Sequence, residues 1–189
     1  MPNPRLPPGQ HTTIGWPRLD LGIVPRFDPK LWALRVDGEV ETPTTFTWEQ
    51  FLTLPKVELT ADFHCVTAWS RLDNRWEGVS FRKIVDLVHP KPTAKYVVFT
   101  CGDAGYTTNL PLDVLMDDDV LLAYRHDGKP LALEHGGPMR LVVPKRYGWK
   151  SAKWLRQVTF VERDEPGYWE VRGYSNTADP WKDDRYSFS

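Results

Sequence analysis

No run of apolar residues in this 189-residue chain is longer than five, and 17 prolines and 13 glycines keep interrupting the sequence. Runs that short exclude a bilayer-spanning helix, which needs about 20 consecutive apolar residues. They permit short strands and short helices joined by irregular segments. Hydrophobic residues at 41% and charged residues at 26% are those of a chain that folds around a core. Nine tryptophans in such a loop-rich chain point to aromatic rings that line a large site or bridge irregular segments.

Charge narrows the function classes. Lys+Arg 24 against Asp+Glu 25 leaves a formal charge of −1, without the basic excess that coats nucleic acid or an anionic membrane. Residues 1–14 read as an extended, proline-stiffened arm without the apolar core of a secretory signal, so a cytoplasmic location is expected. The two cysteines, Cys65 and Cys101, make no disulfide framework and remain thiols in a reducing compartment.

The readable elements are short. Residues 31–36 form a strand candidate ending in the Asp37-Gly38 turn, with residues 40–46 as its hairpin partner. Thr47 and Gln50 have capping-box spacing before a short helix through Leu54, stopped by Pro55. Ser80 stands before a second helix in which Phe81, Ile84, Val85 and Val88 form an apolar stripe, ended by Pro90. Further strand candidates are 96–100, 120–125, 140–143 and 158–162, with Asp127-Gly128 as a turn. Strands outnumber helices and alternate with them irregularly. The expected class is α+β, β-rich, with residues 1–189 as one domain.

Cys65 follows a plausible strand in the run 60–69 (TADFHCVTAW). It reads as a buried thiol, as a nucleophile, or as a metal ligand. Adjacent strand residues point to opposite faces, so His64 is poorly placed as a base for Cys65. With no C-x-x-C and no paired histidines, zinc is poorly supported. A single thiolate suits a metal that arrives with other ligands of its own. A second constellation is 135–140 (HGGPMR), 141–144 (LVVP) and 147–154 (YGWKSAKW). It reads either as a turn, a strand and a polar loop, or as an anion site. Arginine offers a planar fork, lysine a mobile charge, and glycines admit close backbone approach. The cations His135, Arg140, Lys145, Arg146, Lys150 and Lys153, with the amides of Ser151 and Ala152, suit a phosphate-bearing ligand.

The runs 63–70 (FHCVTAWS), 76–79 (WEGV), 135–140 and 150–154 together resemble the sulfite oxidase family of molybdopterin enzymes, in its small haem-free bacterial form. The likeness covers about Gly15 to Tyr186. It implies a sulfite oxidase-type fold with mixed sheets and short helices. It also implies a molybdenum held by one pyranopterin dithiolene, with Cys65 as the protein's sulfur ligand. By the same resemblance His135, Arg140, Lys150, Ser151, Ala152 and Lys153 hold the pterin and its phosphate, with Thr100 and Asp103 near another pterin contact. Residues 17–21 match the family's N-terminal cofactor loop. Tyr174, after Trp169, matches an active-site tyrosine, and Trp69 and Trp76 either wall the site or fill the core.

Where sulfite oxidases place two substrate-binding arginines, this chain has Leu19 and Ser70, with Arg18 and Arg71 one residue away. Arg71 is the candidate to face the substrate. The implied activity is two-electron oxygen-atom transfer on a small substrate, by sulfite-like oxidation or by reduction of an S- or N-oxide. With no haem domain in the chain, the expectation is electron exchange with a separate partner. The competing readings are a molybdopterin carrier without turnover and a cysteine hydrolase built on Cys65.

Overall fold

The computed structural model describes residues 3–188; the first two residues of the expected 1–14 arm and the last residue of the chain lie outside the described residues. In chain order the strands are β1 (His11–Thr12), β2 (Ala33–Gly38), β3 (Thr44–Thr47), β4 (Val57–His64), β5 (Trp69–Ser80) and β6 (Tyr96–Cys101). There follow β7 (Thr107–Pro111), β8 (Leu121–His126), β9 (Lys129–Pro130), β10 (Arg140–Val142) and β11 (Leu155–Val161). Short helices α1 (Trp48–Leu52), α2 (Phe81–Val88) and α3 (Leu112–Leu115) lie between them.

Two mixed sheets result. One runs β3-β2-β11-β6-β7, with β2 and β11 parallel and the other pairs antiparallel. The other has β1-β5-β8-β10 as its spine, with β4 beside β5 and β9 beside β8; β1 runs parallel to β5. The strand-rich α+β class expected from the sequence is the one observed.

Alternation builds the main core. Leu34 and Val36 on β2, Val97 and Phe99 on β6, and Val158 and Phe160 on β11 are fully buried. They pack with the stripe of α2, where Phe81, Ile84 and Val88 are buried. Each such side chain contributes roughly 1.5–3 kcal/mol by leaving water. The Phe81 ring sits 5.9 Å from Phe99 and 6.1 Å from Phe160, which locks helix to sheet. Helix α1 starts at a reciprocal capping box: the Gln50 amide donates to Thr47 Oγ1 (3.2 Å) and the Thr47 amide to Gln50 Oε1 (2.9 Å). The Asp127-Gly128 turn has positive φ at both residues (48° and 78°), the type I′ pattern that matches strand twist between β8 and β9.

Several local readings shift. The partner of β2 is Thr44–Thr47, while Val40 instead bridges Pro90, because the chain at Thr42 bonds to Val88 at the end of α2. Ser80 stands at the N-cap of α2 but its side chain makes no capping bond. The arm is not free: β1 lies along β5, and the Thr13 amide donates to the Ser70 carbonyl (2.9 Å). A second cluster of Phe63, Cys65, Trp69, Trp76, Leu121 and Val142 forms on the other sheet and becomes one wall of the site.

Gly78 sits where β5 crosses β8 at a register shift. A Cβ there would meet the Leu122 carbonyl oxygen at 2.1 Å and Ala123 Cα at 2.7 Å, both backbone. Gly78→Ala should lower unfolding free energy by about 2–3 kcal/mol, read as an earlier urea midpoint; an unchanged midpoint contradicts this close approach.

Candidate functional site

The β4–β5 hairpin sets the position of Cys65. Its turn closes with the Cys65 amide donating to the Trp69 carbonyl (2.9 Å) and the Ala68 amide to the Cys65 carbonyl (3.1 Å), with Ala68 at φ 73°. His64 and Cys65 point apart: His64 Nδ1 bonds Ser70 Oγ at 2.7 Å, while the thiol faces a hollow. Burial pushes the Cys65 thiol above its ordinary value, and the Thr67 hydroxyl 3.1 Å away offsets this only in part. The thiol's hydrogen-bond partner is the Thr67 hydroxyl rather than a histidine, which disfavours the hydrolase reading.

The hollow is a cavity of about 320 Å³. Phe63, Cys65, Val66, Thr67 and Trp69 form one wall, and residues 16–21 cross it as a strap. Asp103 and Tyr106, His135 and Arg140, the 148–153 turn, and Trp169 with Tyr174 complete the lining. Gly148 is required there, since a Cβ would lie 2.5 Å from the Phe63 ring.

Arg140 enters from β10 and is 3% exposed. Its guanidinium donates to the carbonyls of Ser151 (2.8 Å) and His135 (3.0 Å) and lies within 5.3–5.8 Å of the Phe63, Trp16 and Trp76 rings. Burial pulls it down to about 10, so it stays charged at neutral pH. Lys153 Nζ donates to the Leu19 carbonyl (2.6 Å) and lies 4.0 Å from Asp20; burial, then Arg140, pull it down to about 8. The His135 ring stacks on Trp16 at 4.0 Å and 1°, and burial followed by Arg140 favours its neutral form. Asp103 Oδ1 is buried without a hydrogen-bond partner among the described residues, and burial pushes this carboxyl up to about 6. Ser151 and Ala152 line the cavity; the Ser151 amide itself donates to the Gly148 carbonyl (3.1 Å).

Lys145, Arg146, Lys150, Thr100 and Arg71, all named from the sequence, lie outside the lining; Lys145 Nζ pairs with Asp117 Oδ2 (2.8 Å) and Arg146 Nη1 donates to the Lys145 carbonyl (2.9 Å). Lys150 is wholly buried, its Nζ 2.7 Å from Glu170 Oε1 and donating to the Asn109 carbonyl (2.8 Å). Desolvation lowers its pKa against the pull of Glu170, and its charge is spent inside the fold. Thr100 sits within β6, paired to Thr107 and Gln157. Arg71 turns away, donating to Asn74 Oδ1 and Asp127 Oδ2 (2.6 Å), with Nη1 3.1 Å from His126 Nε2. Tyr174 does reach the hollow, edge-on to Trp149 at 5.1 Å and 5.0 Å from Trp169. Trp69 also lines it, whereas Trp76 packs beneath Arg140. Sequence reasoning missed Trp16, Tyr106 and Trp149. The signal for Trp149 was an aromatic residue amid cations that were read for charge alone.

Among the described residues no group of three or more His, Cys, Asp or Glu is arranged to hold a metal ion. The chain offers one sulfur beside buried cations, the donor set for a metal that arrives with its own ligands.

The family model of the oxidoreductase molybdopterin binding domain matches residues 21–169. The chain belongs to this family. The oxidoreductase YuiH of Bacillus subtilis is 44% identical over 185 residues, 97% of this chain and 93% of that one. The putative protein-methionine-sulfoxide reductase subunit YedZ1 of Azospira oryzae is 33% identical over 153 residues, 80% of this chain. The protein-methionine-sulfoxide reductase catalytic subunit MsrP of Campylobacter jejuni is 30% identical over 169 residues, 81% of this chain. The present chain spans only 57% of the length of each of these two reductases. The crystal structure of the sulfane dehydrogenase SoxCD of Paracoccus pantotrophus matches with a TM-score of 0.68 and 26% identity, over 74% of this chain and 40% of that one.

The protein is thus an oxidoreductase of the sulfite oxidase family, and its cofactor is molybdenum bound by molybdopterin. The residues present fit that group. Cys65 supplies a thiol, Arg140 and Lys153 supply positive charge, and the orphaned Asp103 Oδ1 supplies an acceptor for a polar edge.

A carboxyl raised from 3.8 to about 6 in the fold binds its proton more tightly in the native than in the unfolded state, so it destabilises the native state increasingly as pH climbs through that window. In urea titrations of the cofactor-free chain, Asp103→Asn should therefore gain stability relative to wild type from pH 3.8 to about 6 and hold the gain above it. A pH-independent difference contradicts this.

Proposed function

We propose that the protein, acting as a single domain over residues 1–189, carries out two-electron oxygen-atom transfer on a small S- or N-oxide and exchanges electrons with a separate redox partner. The observation that carries this reading is the Cys65 thiol facing the same hollow as Arg140, Lys153 and His135. The bound molybdenum cofactor supplies the two-electron couple, and the protein supplies orientation and charge. Reduction of a dialkyl sulfoxide balances as one sulfoxide, two electrons and two protons giving the dialkyl sulfide and water. The reading places the protein in the cytoplasm, where its free thiols stay reduced; among the described residues no helix is long and apolar enough to cross a membrane.

Cys65 would ligate the metal, while Arg140, Lys153, His135 and the Ala152 amide would grip the pterin and its phosphate. Trp69, Trp149 and Trp169 keep water from the reacting end. Burial raises the Tyr174 hydroxyl above its ordinary value, so it remains protonated and can donate to a substrate oxygen.

A neutral oxide is favoured over sulfite because the cofactor leaves no lining cation for the substrate. Arg18 is paired with Asp20, and Arg140 and Lys153 are the cations that hold the cofactor. Arg71 is committed to Asp127 and Asn74 outside the hollow. A dianion needs preorganised positive charge that is free to receive it; a sulfoxide needs one donor. The sulfoxide reductases among the relatives support this direction.

Cofactor-loaded protein with a reduced dye as electron donor should reduce a dialkyl sulfoxide faster than it oxidises sulfite with ferricyanide. Tyr174→Phe should lower kcat/KM for the sulfoxide by about 10²-fold at unchanged molybdenum content. Wild-type rates in the variant remove Tyr174 from this role. A fully loaded protein inert toward sulfite, sulfoxide and N-oxide is a carrier instead.

A further inference from the structure

The Cys65 turn is held at its apex by the two ends of the chain. Gln10, in the arm just before β1, donates from Nε2 to the Cys65 carbonyl at 3.0 Å. The Gln10 Oε1 accepts from Ser70 Oγ at 3.0 Å. Because that hydroxyl hydrogen is used there, His64 Nδ1 is the donor in its 2.7 Å bond to Ser70 Oγ. From the other end, Arg185 Nη1 donates to the Val66 carbonyl. Arg185 is itself fixed: Nε donates to Asp183 Oδ1 (2.7 Å), Nη2 reaches the Pro8 carbonyl (3.5 Å), and its charge lies 5.2 Å from the Tyr147 ring centroid. Successive carbonyls at the ligand position are thus gripped from residues 10 and 185. Both lie outside the span 21–169 matched by the family model.

We propose that Gln10 and Arg185 are positioning residues that set the orientation of the Cys65 sulfur, joining the two chain ends into one clamp on the turn that carries it. The proposal rests on the reading of Cys65 as metal ligand. Replacing groups that orient a ligand from behind typically costs about 10- to 100-fold in metal affinity or activity. The clamp also gives the arm a role, since β1 aligns Gln10 by pairing His11 with Trp69 and Thr12 with Ser70.

The test uses the full chain carrying Cys101→Ser, which leaves Cys65 as the one thiol. In cofactor-free protein, the iodoacetamide rate constant of Cys65, corrected for its thiolate fraction from the pH profile so that the lost Arg185 charge does not enter, should be about fivefold higher in Gln10→Ala and in Arg185→Met than in the parent, the effect of one lost hydrogen bond. Gln10→Glu keeps an acceptor for Ser70 but loses the donor to the Cys65 carbonyl, and should behave as Gln10→Ala does. In cofactor-loaded protein the same variants should shift the Mo(V) electron paramagnetic resonance spectrum and lower turnover about tenfold at parental molybdenum content. Parental alkylation rates and spectra overturn the proposal, as does an alkylation rate that rises only in step with lost unfolding free energy. A parent chain that takes up no molybdenum counts against the proposed function, and the alkylation arm still decides the clamp.

Discussion

The guanidinium of Arg140 lies out of water, and among the described residues no carboxylate stands within ion-pair distance of it. Backbone carbonyls of His135 and Ser151 and the faces of Trp16, Phe63 and Trp76 surround it. Burying a charge without a counter-charge is costly. A fold accepts that cost where an anion is to be received. The neighbouring groups register the same charge: Arg140 lowers the pKa values of both Lys153 and His135. Residues 16–21, the 148–153 turn and the Cys65 hairpin all close around it, so the hollow is polarised before any ligand enters.

The cavity has two characters. Arg140, Lys153, His135 and Asp103 give part of the lining charge and polarity, and Trp69, Trp149, Trp169 and Tyr174 give the rest an aromatic surface. Such a division suits a large anionic cofactor and a small, weakly charged substrate sharing one space. The Cys65 sulfur belongs to the same lining, and the turn that holds it is secured from both chain ends, at Gln10 and at Arg185.

Much of this was legible in the sequence because the signals were local. The stripe of α2, the Thr47–Gln50 box and the Asp127-Gly128 turn depend on residues within one or two turns of chain, and each forms as read. That Cys65, His135, Arg140 and Lys153 share one hollow was legible because their order resembles a known family. What escaped depended on distant partners. The twelve-residue strand β5 sets Arg71, Asp73, Arg75 and Glu77 on one face, but the buried Ser70, Asn74 and Gly78 on the other hide the apolar half of the alternation, and its pairing with β4 and β8 makes it a strand. Lys150 resembles its basic neighbours until Glu170 and Asn109, far along the chain, take its charge. Arg71 is turned aside by Asp127 and Asn74 in the same way.

The central claim is that one cysteine sulfur and a cationic pterin grip meet in a single hollow. X-ray absorption at the molybdenum edge of cofactor-loaded protein tests this most directly, with Cys65→Ser as the comparison. The account predicts one more sulfur neighbour at the metal in the wild type than in the variant, with pterin still bound in both. An identical sulfur count in the two proteins contradicts it.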